Sequence, residues 1–132
     1  MKELIAIQSE LKAPKNQFNN FGKYKYRSQE DILEAVKPLL AKHQCALMLT
    51  DEVKHAGSFT YIEATARLYT TYSDGVEICQ FVEVKAQAGV QERKGMDLAQ
   101  SFGASSSYAR KYALNGLFLI DDTKDADATN TH

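Results

Sequence analysis

The sequence predicts an α+β fold in which a three-stranded antiparallel β-meander is packed by helices, two of which precede it. The main evidence is a change in hydrophobic period along the chain. Apolar residues recur every three or four positions up to residue 40 and again after residue 97, which is typical of amphipathic helices. Between these regions they alternate with polar residues, as in strands with one buried face. The 132 residues suit a single domain.

The N-terminal region predicts two helices joined by a loop. The first covers residues 2–12, and it should end there because Ala13 precedes Pro14. The second starts after Ser28, whose hydroxyl can cap the backbone amide of Asp31. Its apolar pattern continues past Pro38, so we expect one helix with a bend rather than two helices.

Three strands and a final helix complete the predicted domain. The strands cover residues 46–53, 61–69 and 76–86, with turns at Gly57 and Gly75. The final helix covers residues 97–115 and should end at Asn115-Gly116. Its predicted packing stripe consists of Leu98, Phe102, Ser105, Ala109 and Tyr112.

Composition and the absence of targeting segments predict a soluble cytoplasmic protein. Sixteen Lys and Arg against 17 Asp and Glu give a net charge of -1, but the aspartates are concentrated after residue 120. We therefore expect a domain over residues 1–120 and an acidic, disordered tail over residues 121–132. Cys45 and Cys79 have neither disulfide nor zinc spacing, so no metal or cofactor is expected. No signal peptide or membrane-spanning run is recognisable.

The stretch from residue 12 to residue 27 carries the clearest functional signal. It contains five cations and no acidic residue, and four aromatic residues are interleaved with them. Cations can contact phosphates and flat rings can stack on bases, so the stretch is a candidate surface for single-stranded nucleic acid. The cations are Lys12, Lys15, Lys23, Lys25 and Arg27, and the rings are Phe18, Phe21, Tyr24 and Tyr26.

An extended backbone over residues 23–27 would place its cations on one face and both tyrosines on the other. The rings that stack on bases could be Tyr24 and Tyr26, or Phe18 and Phe21. Alternatively both tyrosines could belong to the core beneath a basic strip. We favour a mixed arrangement in which the cations bind nucleic acid and the tyrosines are buried.

Two further cationic pairs complete the candidate site. Arg93-Lys94 should lie in the loop after the third strand and Arg110-Lys111 on the final helix, where adjacent side chains point about 100° apart and only one can face a given ligand. The serines at 105–107 are interpreted as packing residues. The predicted DNA-binding set is Lys15, Lys23, Tyr24, Lys25, Tyr26, Arg27, Arg93, Lys94, Arg110 and Lys111.

Two other functions remain open alongside DNA binding. The chain could be an oligomeric protein-interaction scaffold whose basic strip docks an acidic partner, such as its own tail. It could instead be a metal-dependent nuclease, since paired carboxylates can hold Mg²⁺; the candidates are Asp121, Asp122, Asp125 and Asp127. The absence of a phosphate-binding loop and of a nucleophile motif favours a protein that is not an enzyme. The apolar residues 117–120 either contact another subunit or fold back on the final helix.

Three segments, in their order and spacing, resemble the ERF (essential recombination function) family of phage single-strand annealing proteins. They are residues 11–15 (LKAPK), 20–28 (NFGKYKYRS) and 107–114 (SYARKYAL). The resemblance implies a β-β-β-α annealing-protein core and ATP-independent annealing of complementary single strands in homologous recombination. It also implies homo-oligomeric rings or helical filaments, possible host or phage recombination partners, and a location in the cytoplasm of a bacterial host cell. The motifs place the implied DNA-binding role on Lys23, Lys25, Arg27, Arg110 and Lys111.

Overall fold

Two antiparallel sheets and three helices make up the part of the chain that the structure describes. This computed structural model describes residues 1–70, 80–91 and 95–121, together with the backbone of residues 125–126. The predicted α+β fold is confirmed. The elements are α1 (Lys2–Glu10), β1 (Gln17–Asn19), β2 (Tyr24–Tyr26), α2 (Gln29–His43), β3 (Cys45–Ala56), β4 (Phe59–Thr70), β5 (Gln80–Gly89), α3 (Leu98–Phe118) and β6 (Asp125–Ala126).

The larger sheet is the predicted meander, with strand order β3-β4-β5. Its register aligns Leu47 with Leu68, and Ala66 with Val84. Residues alternate between buried and half-buried along β4, as its sequence pattern predicts. Gly57 turns the chain from β3 into β4 at a positive φ of 62°, which glycine adopts without strain. The second predicted turn, at Gly75, lies outside the described residues.

The core lies between one face of this sheet and the three helices. α3 lies across β4 and β5, and α1 packs against α2 and α3. The buried apolar side chains of this core are Ile7, Ile32, Val36, Ile62, Ala64, Ala66, Leu68, Ala109, Ala113, Leu114, Leu117 and Phe118. None of the helices in the described ranges is long and apolar enough to cross a bilayer. Among the described residues, no cluster of His, Cys, Asp and Glu could hold a metal ion, and Cys45 is a free thiol.

The packing stripe of α3 differs from the predicted one. Leu98 is 55% exposed, whereas Ser101, Ser105, Ala109 and Ala113 are buried at four-residue spacing. The small side chains face the sheet because they let the helix approach it closely. The prediction was right for Ser105 and Ala109 and wrong for Leu98, which lies at the exposed start of the helix.

The predicted end of α3 at Asn115-Gly116 was also wrong. Asn115 is buried within the helix, which continues to Phe118, and Leu119 forms the C-cap with a left-handed φ of 56°. Burial of Leu117 and Phe118 in the core outweighs the local signal for a helix end. Two of the four apolar residues at 117–120 are therefore core residues, while Leu119 is 73% exposed.

The first two helices follow the predicted pattern with small shifts. α1 ends at Glu10 rather than at residue 12, because Leu11 has already taken an extended conformation. α2 begins with the predicted cap: Ser28 Oγ accepts the Asp31 amide, and the Asp31 carboxylate accepts the Ser28 amide. Pro38 lies inside α2, which is one continuous helix to His43.

The second sheet is a hairpin that the sequence did not predict, with a short strand added at its edge. β1 and β2 pair antiparallel, and the turn between them places Lys23 at a positive φ of 57°. β6 pairs with β2 on the other side, so that the backbone of Asp125 lies opposite Lys25. The backbone of residues 125 and 126 thus lies beside the basic hairpin.

Candidate nucleic-acid interface

A cavity of about 350 Å³ lies between the β1–β2 hairpin, the start of α2 and one face of α3. We call it the tyrosine groove. The side of α3 that lines it follows the spacing i, i+3, i+4, i+7 and i+8, which places these residues on one helical face. The lining residues are Lys15, Asn19, Tyr24, Tyr26, Arg27, Ser28, Gln29, Glu30, Ala104, Ser107, Tyr108, Lys111 and Tyr112.

The groove has a pair of tyrosines on each side. The rings of Tyr24 and Tyr26 are 6.0 Å apart between centroids, and those of Tyr108 and Tyr112 are 4.8 Å apart, with their hydroxyls 3.2 Å apart. Tyr24 and Tyr26 are half-buried and Tyr108 is 55% exposed. Neither hairpin tyrosine belongs to the buried core, so the expectation that they are core residues was wrong.

The hairpin turn holds Tyr24 in position. The Asn19 amide donates a hydrogen bond to the Tyr24 hydroxyl at 3.1 Å, and Asn19 Oδ1 accepts the Gly22 amide at 2.8 Å. A Cβ on Gly22 would lie 2.3 Å from a Tyr24 ring carbon, so only glycine allows the ring to lie over the turn. The turn sequence therefore sets one wall of the groove.

Lys111 lies between the two sides. Its Nζ is 5.7 Å from the Tyr26 centroid and 5.9 Å from the Tyr112 centroid, near the outer limit for cation–π attraction. Lys15 also lines the groove, where its side chain is 9% exposed and its ammonium lies 3.9 Å from an Asp121 carboxylate oxygen. Both lysine ammonium groups inside the groove therefore already have neighbouring groups that attract them.

Arg27 turns inward instead of joining a basic strip. Its Nε donates to the Ala13 carbonyl at 2.9 Å, and its Nη1 donates to the Asp121 carbonyl. The predicted single face of Lys23, Lys25 and Arg27 is therefore wrong. β2 is three residues long, and only Tyr24, Lys25 and Tyr26 alternate as expected, with Lys25 exposed.

Arg110 points away from the groove, as the 100° separation from Lys111 requires. Its Nε lies 3.0 Å from Asp51 Oδ2 on β3, and the Ser106 hydroxyl donates to the same oxygen. The hydrogen bond from Ser106, together with the charge and hydrogen bond of Arg110, lowers the pKa of Asp51, although partial burial opposes the shift. Arg110 thus fastens α3 to the sheet.

The predicted set therefore divides into four groups. The structure brings Lys15, Tyr24, Tyr26, Arg27 and Lys111 together at the groove. Lys23 and Lys25 lie exposed on the hairpin outside it, and Arg110 lies on another face of α3. Arg93 and Lys94 lie outside the described residues.

Tyr108 was not predicted as a site residue, and Tyr112 was assigned to packing. The pattern that could have revealed them is Ser107, Tyr108, Lys111 and Tyr112, in which two rings and one cation share a helical face. The pattern was not recognised because the predicted packing stripe already included Tyr112.

The whole chain, residues 1–132, matches the family model described as the ERF superfamily. The chain belongs to the ERF superfamily. It is 53% identical over 124 residues to the Essential recombination function protein of Salmonella phage P22, covering 94% of this chain and 57% of that protein. This ERF chain thus spans little more than half the length of that relative. No solved structure matches this chain. The groove, the hairpin and α3 all fall within the matched region.

Proposed function

We propose that this ERF chain binds single-stranded DNA at the tyrosine groove and the adjoining basic hairpin, and that it anneals complementary strands without ATP during phage recombination. The observation that carries the proposal is the meeting of two tyrosine pairs and Lys111 at one cavity. The name of the P22 relative supports a role in recombination.

Aromatic rings explain why such a site would favour single strands. Stacking of a base on an aromatic side chain contributes about 1–3 kcal/mol, and it is available only to bases whose faces are uncovered. Tyr108 offers the most exposed ring of the groove. The fully exposed Phe21 and the 42% exposed Phe18 lie on the same hairpin and offer further surfaces.

The hairpin supplies charge for the sugar-phosphate backbone. Lys23 lies in the turn and Lys25 on the strand, and both side chains are exposed. Each phosphate neutralised on a single strand contributes a slope of about -0.7 to log affinity against log salt. Binding through these lysines is therefore sensitive to salt, whereas stacking in the groove persists as salt rises.

Annealing requires two negatively charged strands to approach each other. A protein that neutralises phosphates and holds one strand extended lowers this repulsion without any covalent step. Several copies in a ring or filament would join their sites into a continuous track for a long strand. We therefore expect oligomers, with single-stranded DNA as the ligand and no nucleotide cofactor.

The direct experiment mixes complementary fluorescent oligonucleotides with and without the protein, with no nucleotide added, and follows duplex formation. We expect the wild-type protein to accelerate pairing and the double variant Lys23→Ala/Lys25→Ala to lose most of this effect at moderate salt. The matched control is Lys2→Ala/Lys37→Ala, which removes two exposed lysines from α1 and α2. Equal annealing by both double variants would contradict the proposed role of the hairpin.

The protein-interaction scaffold and the metal-dependent nuclease predict different results in binding and cleavage experiments. Absence of binding to a labelled oligonucleotide at low salt would favour the protein-interaction scaffold. Cleavage of labelled DNA in the presence of Mg²⁺, lost on Asp121→Ala, would favour a nuclease. Either result would replace the annealing proposal.

A further inference from the structure

The lining of the tyrosine groove suits a nucleobase better than a phosphate. The Glu30 carboxylate lies at its rim and would repel a phosphate. The cations of the lining already have contacts: Lys15 pairs with Asp121, Arg27 donates to two carbonyls, and Lys111 lies near two rings. A phosphate in the groove would have to compete with these contacts.

The uncharged lining groups match the edge and the face of a base. Asn19 already bonds Tyr24 and Gly22, and Gln29 donates to Glu30. A side-chain amide has two N–H donors and an oxygen with two lone pairs, so each can bond a base edge as well. The hydroxyls of Tyr108 and Tyr112, which bond each other, can likewise both donate and accept. The rings offer flat apolar surfaces for stacking. A single base would therefore find both kinds of contact within one cavity.

The size of the groove limits what can enter. Its volume of about 350 Å³ lies at the small end of the range of about 300–1,000 Å³ for sites that enclose small molecules. The small side chains of Ala104 and Ser107 leave room next to Tyr108 on α3. One nucleoside is a suitable occupant, whereas a duplex is far too wide.

We propose that the tyrosine groove takes one nucleobase out of the bound strand and stacks it against Tyr108, while the neighbouring phosphates lie along Lys23 and Lys25. This inference rests on the proposed function, because it specifies how the same site would hold the strand. A base in a duplex must leave its partner and its neighbours before it can enter, so the groove itself would discriminate against paired DNA.

The test compares two labelled oligonucleotides of equal length, one with all its bases and one with abasic sites along its centre. Fluorescence anisotropy is measured at a salt concentration that screens phosphate contacts. Stacking of one base predicts that the complete strand binds about 5- to 150-fold more tightly than the abasic strand. We expect Tyr108→Leu to remove most of this ratio and Tyr108→Phe, which keeps the ring, to retain it.

The matched control is Phe81→Leu, which removes a 49% exposed ring from β5 on the face of the meander opposite α3 and leaves the groove and the hairpin intact. It should retain the ratio. Equal binding of both oligonucleotides by the wild-type protein would overturn the inference while leaving DNA binding itself standing. Loss of the ratio in Phe81→Leu but not in Tyr108→Leu would also overturn it, since the base would then stack outside the groove. Failure to bind either oligonucleotide would overturn the proposed function as well.

Discussion

Arg27 and Lys25 are two positions apart, yet their side chains have different environments. Lys25 is exposed on β2, whereas Arg27 donates hydrogen bonds to the carbonyls of Ala13 and Asp121 and so links the segment before the hairpin to the segment after α3. A hydrogen bond from a charged group contributes about 1.5–3 kcal/mol. We therefore expect Arg27→Ala to lower the free energy of unfolding by about that amount.

Urea unfolding followed by circular dichroism measures this change. Lys25→Ala is the control at the neighbouring exposed position and should shift the unfolding free energy by less than about 0.5 kcal/mol. Equal stability of the two variants would show that Arg27 contributes no more than a solvated cation. The sequence could not separate these residues, because both carbonyl partners of Arg27 come from other parts of the chain.

Glu63 on the outer face of the meander makes stability depend on pH. Its carboxylate accepts hydrogen bonds from Lys54 at 2.7 Å and Gln87 at 2.9 Å, and Lys85 lies 3.6 Å away. These partners, Lys54 first, lower its pKa from the ordinary 4.5 to about 2. Because the folded-state pKa is the lower one, Glu63 stabilises the fold above pH 4.5, and this contribution is lost as the pH falls towards 2.

Glu63→Gln tests this linkage. We expect the variant to unfold at a lower temperature than the wild type at pH 7, and the difference in melting temperature to shrink between pH 4.5 and pH 2. Thermal melts across that range give the measurement. A difference that stays constant with pH would mean that packing of the side chain, rather than its charge, is responsible.

At the scale of single elements, the two glycines within α3 have opposite surroundings. A Cβ on Gly103 would have no neighbour within 4 Å, whereas a Cβ on Gly116 would lie 2.9 Å from Val84 Cγ1 on β5. Alanine stabilises a helix interior by about 0.5–1 kcal/mol relative to glycine. A close contact with a stiff β-branched side chain instead costs about 1–3 kcal/mol.

We therefore expect Gly103→Ala to stabilise the protein by about 0.5–1 kcal/mol and Gly116→Ala to destabilise it by up to about 2 kcal/mol. The two variants make the same chemical change in one helix, so each is the control for the other in urea unfolding. If Gly116→Ala proved as stabilising as Gly103→Ala, α3 would not pack on β5 as closely as described.

The sequence predicts elements well where neighbouring residues determine them. The Ser28–Asp31 capping box and the alternation along β4 are local patterns, and both were confirmed. The position at which α3 ends is not determined by neighbouring residues, because burial of Leu117 and Phe118 depends on the sheet and on α1. The β1–β2 hairpin was missed because each of its strands has only three residues.

At the scale of the whole molecule, the candidate site joins parts of the chain that are far apart in sequence. The whole meander separates the hairpin tyrosines from those on α3 in sequence, so no local pattern could have paired Tyr26 with Tyr112. The cationic stretch was visible in the sequence because charge clusters locally. Its division into the groove residue Lys15, the exposed lysines and the inward Arg27 required the tertiary structure.

The acidic segment after residue 120 pairs with the hairpin through β6, and this pairing gives the last prediction. Beyond Asp121 the chain carries three aspartates and one lysine, and β6 pairs with β2 beside the exposed Lys25. With DNA bound along the hairpin as proposed, β6 and the strand would compete for the same edge of β2, and the charge of the aspartates would weaken the attraction of phosphates to the exposed lysines. An exposed ion pair contributes at most about 1 kcal/mol, so we expect a chain ending at Asp121 to bind single-stranded DNA up to about fivefold more tightly at low salt.

Anisotropy titrations at increasing salt measure this gain, which should shrink as charges are screened. A second variant, with Asp122, Asp125 and Asp127 replaced by Asn, keeps the segment and removes its charge. Tighter binding by both variants would assign the competition to charge, whereas tighter binding by the shortened chain alone would assign it to the strand pairing along β2. If neither variant binds more tightly than the full chain, the acidic segment does not compete with DNA, and its contact with the hairpin serves only the fold.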